Sequence, residues 1–255
     1  MFNAAAGYER YMGRWSRLLA PHYIAFAGVQ DGKRILDIGT GTGSLARAVE
    51  AAFPEAAVVG IDPSEAFVAQ AKHGSRSTFE VGNAQALRFD NASFDHSMSM
   101  LVLNFIPDHE KALAEMRRVT RAQGVVSACV WDYAEGMEML RVFWDEVVAQ
   151  DPAMEPKDER HMKLCRQGQL GALWKKAGLA DVQETAVVID TAFASFDDYW
   201  GPFLAGVGPG GAYVASLSED HRKALEARLR KRLPGEGAKA LKARAWCVRG
   251  AVPAT

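Results

Sequence analysis

The sequence predicts an α/β fold built on a mostly parallel sheet with helices on both faces. Two observations lead there. Five short β-branched or apolar runs alternate with helix-length segments between residues 34 and 131, and a glycine-rich turn directly follows the first of those runs. Strand and helix in strict alternation, with room for one helix per crossover, make the strands parallel and leave both sheet faces to be covered.

Taken in order, strands are expected at 34–38, 57–61, 78–81, 94–100 and 125–131. The segments 44–53 and 64–72 have helical length and pattern, and 110–120 repeats apolar residues at Leu113, Met116 and Val119. After Trp131 the texture changes. A Met- and aromatic-rich helix over about 135–148 leads into 151–160, where Pro152 and Pro156 interrupt regular structure. The alternation resumes with a helix near 168–177, a turn at Gly178, a strand near 182–189 and a last strand near 243–248. Between those strands lie an aromatic group (Phe193, Phe196, Tyr199, Trp200, Phe203), a flexible glycine-rich stretch at 206–211, and a helix with Leu217, Leu225, Leu229 and Leu233 on one face. The chain reads as one domain over 1–255. Residues 1–30 form a helical lid, 31–132 a cofactor-binding half, and 133–255 a substrate-binding half with insertions at about 133–167 and 190–240.

Composition narrows the function. A net charge of −1 lacks the basic signature of a chain that neutralises phosphates, so no nucleic-acid partner is expected. Residues 217–249 hold 10 Lys/Arg against 4 Asp/Glu, which reads as a solvated helix face. Apolar runs stay short of about 18 residues and the first residues carry no apolar signal-peptide core, so a cytoplasmic location without membrane insertion is expected. Cys129, Cys165 and Cys247 are odd in number and widely spaced, without histidine at ligand spacing. Neither a disulfide framework nor a metal site is expected, and the three read as packing residues.

The chemistry is carried by residues 35–43, where Gly39, Gly41 and Gly43 occupy alternate positions at the junction of a strand with a helix. Bare backbone there lets a ligand approach closely. Asp62 closes the second strand about 20 residues on, where a carboxylate can accept from ribose hydroxyls. Asn83-Ala84 follow the third strand, where an amide can meet an adenine edge. A dinucleotide fingerprint would want glycine at the sixth place, which is Ser44, and Asp37 inside the strand would repel a pyrophosphate. A ligand with a cationic sulfonium and an amino group suits that carboxylate better. An NAD-dependent oxidoreductase is the alternative enzyme, and a cofactor-binding protein without turnover the alternative of another class.

Residues 35–46, Asp62-Pro63-Ser64, residues 82–89, and the stretch from Phe94-Asp95 through Leu103 and Met116-Arg117-Arg118-Val119 to Gly124-Val125 resemble the class I S-adenosylmethionine-dependent methyltransferases. More narrowly, they resemble the type 11 methyltransferase domain shared with the ubiquinone/menaquinone-biosynthesis C-methyltransferases. Residues 8–17 resemble the first helix of bacterial members. The likeness implies a Rossmann-like sheet of seven strands, mostly parallel with an antiparallel last strand, and helical substrate-cap insertions. It implies S-adenosyl-L-methionine as cofactor, with Gly39, Thr40, Gly41 and Gly43 along its methionine part, Asp37 at its amino group, and Asp62 with Pro63 at the ribose. Asn83 and Ala84 would flank adenine, and Met100 and Leu101 would contribute backbone. Many relatives have Asp where this chain has Asn83, a weaker acceptor.

Tyr11, Arg14 and Trp15 are expected to close over the cofactor. Tyr133, Tyr199, Trp200 and Phe203 are expected to hold a small apolar or aromatic acceptor, with 206–211 as the mobile part of its lid. Asp132, at the border of the two halves, and His161 and Arg166 in the second fall where substrate-recognition residues could lie, but their spacing forms no triad or metal cluster. His109 reads as a helix N-terminus beside Asp108 and Glu110 rather than as a base. A sulfonium methyl is already activated, so no catalytic base is obligatory and none is assigned. The partner is a small-molecule acceptor. Monomer and homodimer are both compatible with the sequence.

Overall fold

The computed structural model describes residues 12–206, 208–235 and 237–254. Seven strands, β1 (Arg34–Ile38), β2 (Ala57–Asp62), β3 (Thr78–Val81), β4 (Phe94–Met100), β5 (Thr120–Trp131), β6 (Ala180–Phe193) and β7 (Lys239–Ala251), form one sheet in the order β3-β2-β1-β4-β5-β7-β6. Strands β1 to β5 pair in parallel, and β7 runs antiparallel between β5 and β6. This is the Rossmann-like architecture with an antiparallel last strand that the sequence predicts. The chain reverses between β1 and β4, which opens a crevice at the carboxyl ends of the strands, the place where open α/β sheets bind ligands.

Helices α1 (Arg14–Ala27), α2 (Ser44–Ala52), α3 (Glu65–Ala71), α4 (His109–Val119), α5 (Glu138–Gln150), α6 (Gln169–Lys176), α7 (Phe196–Leu204), α8 (Gly208–Ser216) and α9 (Glu219–Arg232) surround it. Their starts follow local sequence. The side chains of Ser64, Asp108, Ser195 and Ser218 each accept a backbone N–H in the first turn of α3, α4, α7 and α9 respectively. His109 is thus the first residue of a helix capped by Asp108, and Arg117 and Arg118 close the same helix at its negative end. β1 buries four of its five residues and β4 six of seven, as strands covered on both faces must.

Three strands outrun their sequence expectation. β5 begins at Thr120, which pairs with Phe94, and residues 121–124, with Gln123 at φ +61°, bulge out before the regular register resumes at Val125. β6 lies at the sheet edge, where its alternating burial lets exposed residues such as Asp190 and Ala192 carry it on to Phe193. β7 gains residues at both ends by pairing with β6.

The stretch 206–211 departs further. Gly208–Ser216 is helical, and Gly210 packs so closely that a side chain there would meet Phe143 and Phe203 at 3.1 Å. Gly210 and Gly211 serve close packing, whereas a side chain at Gly206 would meet nothing within 4 Å. The 151–160 segment is ordered by charge. Asp158, buried, receives Arg141 and Arg160, and Glu159 accepts the Trp144 indole N–H at 2.7 Å. Burial pushes the Glu159 carboxyl up to about 7.

Candidate active site

The glycine turn leaves β1 at Gly39, whose φ of +72° and close approach to Val102 exclude a side chain: a Cβ there would fall 2.5 Å from the valine. The Gly39 and Thr40 N–H groups both donate to the Ile61 carbonyl, at 2.8 and 2.9 Å, tying the turn to β2. The Gly41 N–H donates to Asp62 Oδ2 at 3.0 Å, and the Ser64 N–H to Asp62 Oδ1 at 2.9 Å. Asp62 is thereby fixed at the end of β2 with a lone pair still available on each oxygen. Burial raises its pKa.

Asp37 is 1% exposed. Its Oδ2 accepts from Thr40 Oγ1 at 2.7 Å, while Oδ1 is buried without a hydrogen-bond partner among the described residues. Burial pushes this carboxyl from 3.8 up to about 7, with the Thr40 bond and the nearby Ala46 N–H opposing and the charge of nearby Asp62 adding to the rise. A buried acceptor of this kind calls for a donor, and a cationic one above all.

These groups line a cavity of about 370 Å³. Asp37, Gly39, Thr40, Gly41, Asp62, Pro63, Met100, Leu101 and Tyr133, all singled out in the sequence, border it. Leu101 adopts φ +64° where β4 ends, with its N–H on the Cys129 carbonyl, so the chain turns sharply into the cavity wall. The wall also contains Met12, Ser16, Phe67, Val102, Phe105 and Trp131, which sequence reasoning did not single out. Trp131 had a usable signal, standing at the carboxyl end of a parallel strand. Phe105 had none beyond its place in the loop after β4.

Other predicted residues lie elsewhere. Tyr11 is outside the described residues. Arg14 turns to Asp198, with Nη1 3.0 Å from both carboxylate oxygens, and its guanidinium stacks over the rings of Trp15 and Phe193 at 4.3 and 4.6 Å. Neither Arg14 nor Trp15 borders the cavity. Asn83 is exposed and its Oδ1 accepts the Gln85 N–H at 2.9 Å, while Ala84 packs on the core. Gly43 faces Arg47. Tyr199, Trp200 and Phe203 are buried in an aromatic core with Phe143, Phe193 and Phe196, where Phe143 and Phe203 stack at 4.2 Å. They do not reach this cavity, because α7 is held against α5 by that stack and by the Tyr199 hydroxyl on the Met139 carbonyl. Asp132 pairs with Arg244, His161 with Glu155, and Arg166 donates to the Arg160 carbonyl.

A larger groove of about 650 Å³ lies at the opposite end of the sheet, between α4 and α6. Its Arg118 and Lys176 are paired with Glu115 and Glu110, and no buried side-chain polar atom is left unpaired there among the described residues. The buried unpaired carboxylate oxygen of Asp37 belongs to the lining of the smaller cavity instead. No cluster of His, Cys, Asp and Glu suited to a metal occurs among the described residues, and no described helix is long and apolar enough to cross a membrane.

A nucleoside with a cationic amino-acid arm fits this donor and acceptor set. The unpaired Asp37 Oδ1 offers an acceptor to an ammonium, a side chain built at Gly41 would meet nothing within 4 Å, and Asp62 retains acceptor capacity for a diol. Sheet order, glycine turn and paired acids together define the class I methyltransferase architecture. Residues 36–128 match the family described as Methyltransferase domain. A demethylmenaquinone methyltransferase from Roseiflexus castenholzii is 36% identical over 184 residues, spanning 66% of this chain and 77% of that protein. An uncharacterised Mycobacterium tuberculosis protein is 32% identical over 118 residues, 44% of this chain and only 42% of that relative's length. The fold is shared with phosphoethanolamine N-methyltransferase 2 of Haemonchus contortus, solved with S-adenosyl-L-methionine, at TM-score 0.60 and 19% identity over 98% of this chain and 58% of that one. The chain belongs to the class I S-adenosylmethionine-dependent methyltransferases of the type 11 domain.

Proposed function

We propose that this protein transfers the methyl group of S-adenosylmethionine to a small, apolar or aromatic organic acceptor. The carrying observation is the make-up of the 370 Å³ cavity along the sheet: the glycine turn and both carboxylates, the only charged side chains in its described lining, come from the ends of β1 and β2, while Phe105, Trp131 and Tyr133 come from the chain at and beyond the ends of β4 and β5. Phe105 and Tyr133 meet edge to face at 6.4 Å. The cofactor supplies an electrophilic methyl on sulfur. Asp37 holds the amino group of the methionine arm and Asp62 the ribose, while the aromatic wall excludes water and orients an apolar acceptor. Alignment of this kind is worth about 7–11 kcal/mol without a proton-transfer group. The Roseiflexus relative's name points to a quinone precursor as one acceptor to try.

Calorimetry with S-adenosylhomocysteine and with NAD tests the cofactor, and release of S-adenosylhomocysteine across acceptor mixtures tests turnover. Asp62→Ala is expected to weaken S-adenosylhomocysteine binding about 10- to 150-fold, the worth of a charge-assisted hydrogen bond. Unchanged affinity in a folded variant, or preference for NAD, overturns the assignment.

A further inference from the structure

We propose that Arg47 is a positioning residue, which fastens the glycine turn to the far end of the helix after Asp62 and so fixes the spacing of two walls of the cofactor cavity. Arg47 lies on α2, outside the cavity, and its guanidinium reaches three carbonyls. Nη1 donates to the Thr42 carbonyl, and Nη2 donates to those of Ala71 at 3.1 Å and His73 at 3.0 Å. Thr42 belongs to the glycine turn. Ala71 is the last residue of α3, whose first turn carries Phe67 and whose cap is Ser64, both on the cavity wall.

Gly43 supports the same role. It stands at φ +89°, and a Cβ there would fall 2.7 Å from Arg47 Nη1 and 3.4 Å from the Ala71 Cβ. The third glycine of the turn therefore makes room for the guanidinium instead of lining the cavity. The carbonyls of Ala71 and His73 lie at the negative end of α3, which favours a cation. A lysine ammonium is a single point and cannot reproduce the fork that spans both segments.

The role rests on the cavity being the cofactor site, and one set of measurements separates the two ideas. Arg47→Met is expected to bind S-adenosylhomocysteine about tenfold more weakly than the wild type, with Arg47→Lys intermediate. In the unliganded variants, hydrogen exchange is expected to quicken at residues 40–43 while the global urea midpoint moves little. Gly43→Ala is expected to weaken binding more in the wild type than in Arg47→Met, because removing the guanidinium removes the clash and leaves only the backbone strain. No wild-type binding overturns the cofactor reading. Wild-type binding with unchanged affinity and exchange in both Arg47 variants, or equal effects of Gly43→Ala in the two backgrounds, overturns the role of Arg47 alone.

Discussion

Asp37 combines a buried position with an unpaired oxygen, and its carboxyl is pushed up to about 7 chiefly by burial. A cationic amino group brought beside it restores the ionised form, so binding releases a proton wherever the unliganded carboxyl still holds one. The sign follows: affinity for S-adenosylhomocysteine falls as pH drops below about 7, by up to about tenfold per pH unit. Stability moves the other way. The folded-state pKa is raised, so the unliganded protein holds more protons than the unfolded chain between 3.8 and about 7, and Asp37's contribution to stability is lost as pH rises through that window. Calorimetry at pH 6 in two buffers of different ionisation enthalpy is expected to give different heats for the wild type and equal heats for Asp37→Asn. Equal heats in both proteins would sink the proposal. The residue itself was legible because an acid sits within a strand beside a glycine turn, whereas its missing partner is a property of three dimensions.

At the scale of elements, α1 presents Met12, from its preceding turn, and Ser16 to the cavity, and the same stretch is gripped from the second half of the chain. Asp198 accepts the Ala194 N–H at the start of α7 and also receives Arg14, whose guanidinium lies over Trp15 and Phe193. Trp15 and Phe193 meet edge to face at 5.3 Å. The sequence placed Arg14 and Trp15 over the cofactor. A helix's period tells which residues share a face but not which neighbour that face meets, and Asp198 lies 184 residues from Arg14. Both partners are part exposed, so the pair is expected to contribute only about 0.5–1 kcal/mol, with coupling of that size in a double-mutant cycle of Arg14→Ala and Asp198→Ala read by urea unfolding. Strictly additive single effects would show that the two act apart. Asp198→Ala is also expected to speed hydrogen exchange in the first turn of α1 and leave α9 unchanged.

Across the whole molecule, legibility follows how function is written into the chain. Residues 34–131 obey local rules: short buried strands alternate with helix-length segments, the helices after β2 and β4 carry their own caps in Ser64 and Asp108, and the glycine turn is set by backbone dihedrals. The second half is organised by packing between distant segments, where an aromatic residue looks the same whether it lines a pocket or fills a core. Tyr199, Trp200 and Phe203 fill a core, and the cavity's aromatic wall comes instead from Phe105, Trp131 and Tyr133. Two substitutions separate those roles. Trp200, 3% exposed and packed on Phe203, is expected to cost about 3–5 kcal/mol of stability when changed to Ala, with near-normal S-adenosylhomocysteine affinity in the fraction that stays folded. Phe105, half-buried on a short turn after β4, is expected to cost under about 2 kcal/mol as Phe105→Ala, because less apolar surface is lost from the core. Its effect belongs instead to the acceptor: a raised KM for the methyl acceptor with cofactor affinity unchanged. If Trp200→Ala leaves the urea midpoint in place and alone raises the acceptor KM, the acceptor lies under α7 and the aromatic wall at the end of β5 is ordinary packing.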